Sequence, residues 1–174
     1  MKSIIALGFL LLCSSHALAQ PASTTAPREP EPSSREWERI LPAAVDLKAD
    51  GERARAEGKP LLLFFNLSGC HYCRYSLRTA VVPMFRDPVF RDAMLFRQIT
   101  IDDGKSIIGF DGKKIATHDF AAQNKATFTP TVMMVDGAGK QLGESIVGVA
   151  SIDFYSGYVE ALAKTAIDLV KTSK

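Results

Sequence analysis

The chain has 174 residues, 47% of them hydrophobic, with a formal net charge of +2. That length and apolar content suit one compact globular domain. The near-neutral balance excludes a nucleic-acid partner as an expectation, because there is no polybasic run and no phosphate-binding glycine motif to support one.

The N-terminus reads as a secretory signal over residues 1–19. Lys2 supplies the positive start, residues 4–12 an apolar core, and Ala17-Leu18-Ala19 a small-x-small cleavage site. The apolar run falls well short of the ~18–20 residues that cross a bilayer, so cleavage near Ala19 is expected rather than a retained membrane helix. Lipid attachment at Cys13 would want a small residue before the cysteine, and Leu12 stands there. Residues 20–35 (QPASTTAPREPEPSSR) hold little to bury and read as a flexible Pro/Ser-rich linker. The folded domain is expected over residues 36–174, in the periplasm.

Trp37, Ile40 and Leu41 open the packing part of the chain, spaced to share one face of a helical turn, and Trp37 reads as a core aromatic. Residues 43–57 favour helix, ended by Gly58-Lys59-Pro60, with Gly51 a potential break in the middle. Residues 61–67 form an apolar run of strand length, the pattern of a strand covered on both faces. After Ser68-Gly69, residues 70–82 have helical length and meet Pro83, where the helix should end or kink. Asp87-Pro88 looks like an N-cap and first-turn proline of a short helix to about Met94. Residues 95–101 alternate as a second strand. Residues 105–114, with turn signals at Gly109 and Asp111-Gly112, read as a loop or small hairpin, and residues 115–124 as a helix. Residues 131–135 and 141–147 should be a hairpin about the turn at residues 136–139. Ser151-Ile152-Asp153 then opens a long amphipathic helix to about Lys171. The first two strands, joined by a helical crossover, should be parallel neighbours, and the last two antiparallel.

Chemistry concentrates at Cys70-His71-Tyr72-Cys73, where the buried strand hands over to a helix. Of three cysteines, Cys13 leaves with the signal, so the exported chain holds one pair. Such a pair can be a staple, a redox couple or part of a metal site. A loop this short gains little as a staple. A sulfur at a helix N-terminus is kept partly as thiolate, and the thiolate is the nucleophile. His118 could join His71 and the cysteines in a four-ligand set, but the spacing fits no familiar zinc pattern, and no metal site is expected. Arg74 stands where covalent haem attachment would need histidine.

The order of elements, Cys70-x-x-Cys73 after the buried strand, Thr129-Pro130 before the third strand and Gly148 after the last together resemble the thioredoxin superfamily over roughly residues 40 to 172. The resemblance implies an α/β thioredoxin fold, a central mixed sheet flanked by helices. Within it the chain looks most like exported SoxW-type bacterial thioredoxin-like proteins, on Gly58-Lys59-Pro60, Asp87-Pro88-Val89 and Ile101-Asp102-Asp103. It departs from cytoplasmic thioredoxins, which have Trp before the first cysteine, Gly-Pro within the pair and a buried Asp six residues upstream. Here those positions hold Gly69, His71-Tyr72 and Phe64.

The resemblance implies that Cys70 attacks a substrate disulfide and that Cys73 then displaces the product, closing the Cys70–Cys73 bond. It implies no cofactor beyond that redox-active disulfide. His71, when protonated, would favour a nearby thiolate, and Tyr72 would shape the groove. It implies a cis bond at Thr129-Pro130, presenting Thr129 to an extended substrate, with Gly148 keeping the groove open. The expected partners are exported proteins bearing disulfides and a membrane electron donor of thiol–disulfide type, met by a monomer. No large helical insertion or dimerisation domain is evident, which favours a reductase over a DsbA-like oxidant or a DsbC-like isomerase. The rival is a non-catalytic metal-binding or adaptor module using an apolar patch at Ile107, Ile108 and Phe110; the other reading places those side chains at the edge of the core.

Overall fold

The computed structural model describes residues 34–173. The expected signal segment, Cys13, the cleavage site and nearly all of the linker lie outside the described residues. The elements in chain order are α1 (Ser34–Trp37), α2 (Leu47–Glu57), β1 (Leu61–Asn66), α3 (His71–Ser76), a π-helical turn (Leu77–Val81), α4 (Val82–Arg86), α5 (Pro88–Arg91), β2 (Leu95–Thr100), β3 (Ser106–Ile108), β4 (Lys114–Ala116), α6 (Thr117–Gln123), β5 (Thr131–Val135), β6 (Ile146–Val147) and α7 (Tyr155–Thr172). The main sheet has the order β2-β1-β5-β6. β1 runs parallel to β2 and antiparallel to β5, and β5 runs antiparallel to β6. This mixed sheet flanked by helices is the thioredoxin fold that the resemblance implied.

Strand β1 explains the two layers. Its side chains alternate across the sheet, sending Leu62 and Phe64 into one cluster and Leu61, Leu63 and Phe65 into another. The first cluster is closed by Cys73, Leu77, Val81 and Met84 from the long helical stretch and by Tyr155, Val159 and Ala163 from α7, with Trp37 and Leu41 at its margin. The second is closed by Leu47 and Ala54 of α2, Phe120 and Ala121 of α6, and Ile107. A strand buried on both faces cannot alternate polar and apolar residues, which is why LLLFF was readable as central.

Several boundaries differ from the expectation. Helix α2 starts at Leu47, not residue 43, because residues 42–44 pair instead with β2: the Ala44 N–H donates to the Gln98 carbonyl at 2.8 Å. Asp46 caps α2, accepting from the Ala49 N–H. Gly51 does not split the helix. A Cβ there would collide with the carbonyl oxygen of Gly137, in the turn after β5, so glycine is what lets the two backbones meet. Arg55 ties the same contact by donating to the Gly137 carbonyl at 2.6 Å.

The helical stretch that begins after Cys70 does not end at Pro83 but runs on to Arg86. It widens first: the Val82 N–H donates to the Leu77 carbonyl five residues back, forming the π turn, and Pro83 then sits in the first turn of α4, where its missing N–H costs little. The helix after Asp87 ends at Arg91 rather than Met94, with the Asp87 carboxylate accepting from the Val89 N–H at 2.9 Å. Residues 105–114 do form the hairpin option, but its second strand takes residues 114–116, so α6 begins at Thr117 rather than 115.

The strand expected over 141–147 is interrupted. Gln141 bridges Val135, but only Ile146 and Val147 form the regular ladder with β5. The last helix starts at Tyr155, without a side-chain cap from Asp153. Ile107 is buried in the core, Phe110 packs partly buried against it and Ile108 is partly buried, so these three are not an exposed docking patch.

Candidate active site

Strand β1 ends at Asn66, and residues 67–70 carry the chain over the sheet's end to α3. Asp102, just past β2, holds this loop from the side: one carboxylate oxygen accepts from the Ser68 N–H at 2.9 Å and from the Ser68 hydroxyl at 3.1 Å. Arg74 holds it from the helix, donating to the Gly69 carbonyl at 3.1 Å. The loop that delivers Cys70 is therefore fixed from both sides, by Asp102, 34 residues further along the chain, and by Arg74 of the helix it leads into.

Cys70 is the N-cap of α3, and its Sγ accepts from the Cys73 N–H at 3.1 Å. The same donor is placed to stabilise negative charge on that sulfur. Cys70 and Cys73 form a disulfide with their Cα atoms 5.2 Å apart. The two sulfurs differ in access: Cys70 is half-buried, whereas Cys73 is 1% exposed and belongs to the core. An incoming group can reach Cys70 and not Cys73.

Thr129 faces this pair, its Oγ1 3.8 Å from the Cys70 Sγ. The Thr129–Pro130 peptide bond is cis. Tyr72, Thr129, Pro130 and Gly148 line one groove of about 310 Å³, with Phe128, Val147, Val149 and Ala150 completing its walls. Gly148 has φ of +70°, a conformation that favours glycine, and a Cβ there would press on the Phe128 ring at 3.3 Å. His71 is exposed and meets Tyr72 edge-on, with ring centroids 5.6 Å apart. The structure thus brings together Cys70, Cys73, Tyr72, Thr129, Pro130 and Gly148, with His71 beside them. His118 is not part of this group; it stands exposed on α6, paired with Asp119 at 2.9 Å.

Beneath the pair the surroundings are apolar. Phe64, in place of the upstream acid, is fully buried in the cluster that holds Cys73. Among the described residues the one buried carboxylate, Asp50, is engaged by Arg97. Arg97 shares its register position with Leu63, on the sheet face opposite Cys73. The polar pair in the Cys73 layer is Ser76 and Tyr155, whose hydroxyls lie 2.6 Å apart. Burial pushes the Tyr155 phenol up to about 12, with the Ser76 hydrogen bond opposing the shift. Tyr75 adds a second tie from α3, donating to the Ile152 carbonyl at 2.9 Å.

Sequence reasoning missed Asp102, Phe128, Val147 and the Ser76–Tyr155 pair as contributors. Phe128 carried a usable signal, a large aromatic directly before Thr129-Pro130. Ser76 and Tyr155 carried none, because only the packing of α7 on α3 joins them.

The sequence matches the family described as a thioredoxin-like domain over residues 47–163. No curated protein matches it significantly in sequence. Among solved structures, a DsbH oxidoreductase shares 19% identity at a TM-score of 0.50, covering 82% of this chain and 96% of its own. Mitochondrial thioredoxin 3 from Saccharomyces cerevisiae, in its oxidized form, shares 16% identity at a TM-score of 0.48, covering 74% and 99%. Trxlp from Edwardsiella tarda shares 19% identity at a TM-score of 0.46, covering 64% and 91%. These likenesses are ones of fold.

Proposed function

The chain belongs to the thioredoxin-like domain family, and from that premise we propose that it is an exported thiol–disulfide oxidoreductase, working in the periplasm as a protein-disulfide reductase. The observation that carries this reading is the asymmetry of the pair: Cys70 caps a helix beside an open groove, while Cys73 is packed beneath it. In the reduced state the Cys70 thiolate attacks one sulfur of a substrate disulfide. A Cys70–substrate bond forms and the other substrate sulfur leaves as thiolate. Cys73 gives its proton to water, attacks the Cys70 Sγ and closes the intramolecular disulfide, releasing the second substrate thiol. Two electrons pass from the dithiol to the substrate, and a membrane thiol–disulfide donor restores the dithiol.

Thr129 and Pro130 are proposed to align an extended substrate segment, with Tyr72 and Gly148 shaping the groove. The Thr129 N–H and C=O make no hydrogen bond to another described residue, so they can pair with such a segment. The reductase direction is supported by the connection from β2 to β5, which holds a hairpin of three-residue strands and the seven-residue α6. The exposed His71 beside Cys70 supports the opposite reading, an oxidant, because a protonated imidazole favours the thiolate and hence the reduced form.

Reduction of insulin disulfides by the wild type, lost in Cys70→Ser, tests the activity; survival of the activity in that variant overturns it. The reduction potential tests direction: a value of about −270 mV supports a reductase, and about −120 mV an oxidant.

A further inference from the structure

We propose that Arg74 and Glu38 are positioning residues that together set how readily the Cys70 thiol ionises, Arg74 favouring the thiolate and Glu38 holding that effect in check; the inference rests on the redox reading above. Arg74 follows Cys73 directly, and its Nη1 donates to the Gly69 carbonyl at 3.1 Å. That carbonyl belongs to the peptide bond leading into Cys70. The Arg74 N–H in turn donates to the Cys70 carbonyl, also at 3.1 Å. The guanidinium is thus held beside the segment that carries the attacking sulfur, and a cation so placed favours the charged form of a thiol.

Glu38 comes from a different part of the chain, just past α1. Its carboxylate lies 3.9 Å from the same Arg74 Nη1, at the outer limit of an ion pair, so the guanidinium is shared between a carbonyl and a carboxylate. The Glu38 backbone is fixed: its carbonyl accepts from the Gln98 Nε2 at 3.0 Å, and Trp37 before it is buried in the core. The Arg74 and Glu38 side chains are 29% and 21% exposed. Water reaches them without surrounding them, so their charges act at a dielectric well below that of bulk water.

The other titratable groups around Cys70 are His71 and Tyr72 on α3, both exposed, and Asp102 beyond β2, which accepts from Ser68. From the β5 side Thr129 and Pro130 face the pair and bring no charge. Among the described residues Arg74 is the one cation hydrogen-bonded to residues 67–70. A thiol that ionises more readily stabilises the dithiol and makes the disulfide a stronger oxidant. Arg74 therefore acts in the same direction as a protonated His71. Glu38 acts against both, moving the pair toward the reducing side.

The test follows alkylation of the reduced protein by iodoacetamide from about pH 4 to 9, the span over which such thiols ionise. The adduct is assigned to Cys70 by peptide mass, and Cys73, 1% exposed, does not compete. In Glu38→Gln the midpoint should fall by about half a pH unit. In Arg74→Gln, which keeps a donor for the Gly69 carbonyl, it should rise by about as much. Below the midpoint each shift is about threefold in rate. The double variant should lie between the two, and Arg74→Lys, which keeps the charge, close to the wild type. A purely structural contact would move both single variants the same way, so shifts of one sign, or no shift in either, overturn the inference. Equilibration with glutathione separates the two levels. The pair should exchange in every variant, displaced toward the dithiol in Glu38→Gln and toward the disulfide in Arg74→Gln. A wild type that exchanges while all the alkylation profiles coincide loses only this inference, whereas one that does not exchange loses the redox reading as well.

Discussion

Removing the Asp50 carboxylate separates stability from chemistry in this fold. Asp50 lies in α2, and both its oxygens are taken by Arg97 of β2, one through Nε at 2.6 Å and the other through Nη2. The side chains are only 12% and 17% exposed, so this is a two-pronged pair at the helix–sheet junction rather than a surface contact. Arg97 also donates to the Phe96 carbonyl at 2.7 Å, which fixes its guanidinium. Asp50→Ala strands that guanidinium. Breaking a fully buried pair costs about 3–5 kcal/mol. The residual exposure lets water reach Arg97, and alanine returns about 0.5 kcal/mol of helix propensity. The net loss should be about 2–3 kcal/mol, measured from urea unfolding with the m-value unchanged. Asp50→Asn keeps an acceptor without the charge and should lose less. Arg97→Met on the Asp50→Ala background should recover part of the loss, since an apolar replacement of both partners is tolerated better than one orphaned charge. Because the pair is on the face opposite Cys73, the disulfide-exchange rate of the folded variant should match the wild type. A loss below about 1 kcal/mol for Asp50→Ala would mean the pair behaves as a solvated surface bridge, and the reasoning would fail.

Gly51→Ala, which in an ordinary helix gains about 0.5–1 kcal/mol, should instead destabilise by about 1–3 kcal/mol, because the added methyl meets the Gly137 carbonyl. Thermal unfolding decides it, and a raised midpoint would contradict the close approach. Tyr155 sets an alkaline limit. Its phenol moves from 10.0 in the ordinary state to about 12 in the fold, so the folded state holds the proton more tightly. The resulting stability is complete below pH 10 and is lost as pH rises from 10 toward 12. At 1.36 kcal/mol per unit this amounts to about 2–3 kcal/mol. Urea unfolding across that window should show the slope in the wild type and a shallower one in Tyr155→Phe; equal slopes would remove Tyr155 as its source.

What could be read in advance follows from how locally each feature is encoded. Strand β1 and the cysteine pair are written in adjacent residues: a continuous apolar run, then two cysteines at one-turn spacing where the chain changes from strand to helix. The parallel β1–β2 pair follows from the helical crossover between them. Features that depend on distant packing could not be read this way. Gly51 looks like a helix weakness until the turn at Gly137 is laid against it. Asp50 and Arg97 are 47 residues apart with no pattern linking them. The π turn carries Leu77, Ala80 and Val81, residues equally at home in an α-helix, so no local pattern announces it. β4 is three residues of an edge hairpin, too short for alternation to separate it from the start of α6. Phe128 belongs to a different class: its place directly before Thr129-Pro130 was a usable signal, although an exposed aromatic has no periodicity to mark it.

The central claim is that Cys70 is the attacking sulfur and Cys73 the resolving one, and trapping tests it most directly. Reduced Cys73→Ala, mixed with a disulfide-bearing protein such as insulin, should accumulate a covalent adduct through Cys70, visible on a non-reducing gel and assigned by peptide mass. Cys70→Ala should accumulate none, because Cys73 is 1% exposed and no substrate sulfur can approach it. Adducts forming equally through Cys73 in Cys70→Ala, or none forming in Cys73→Ala, would contradict the assignment.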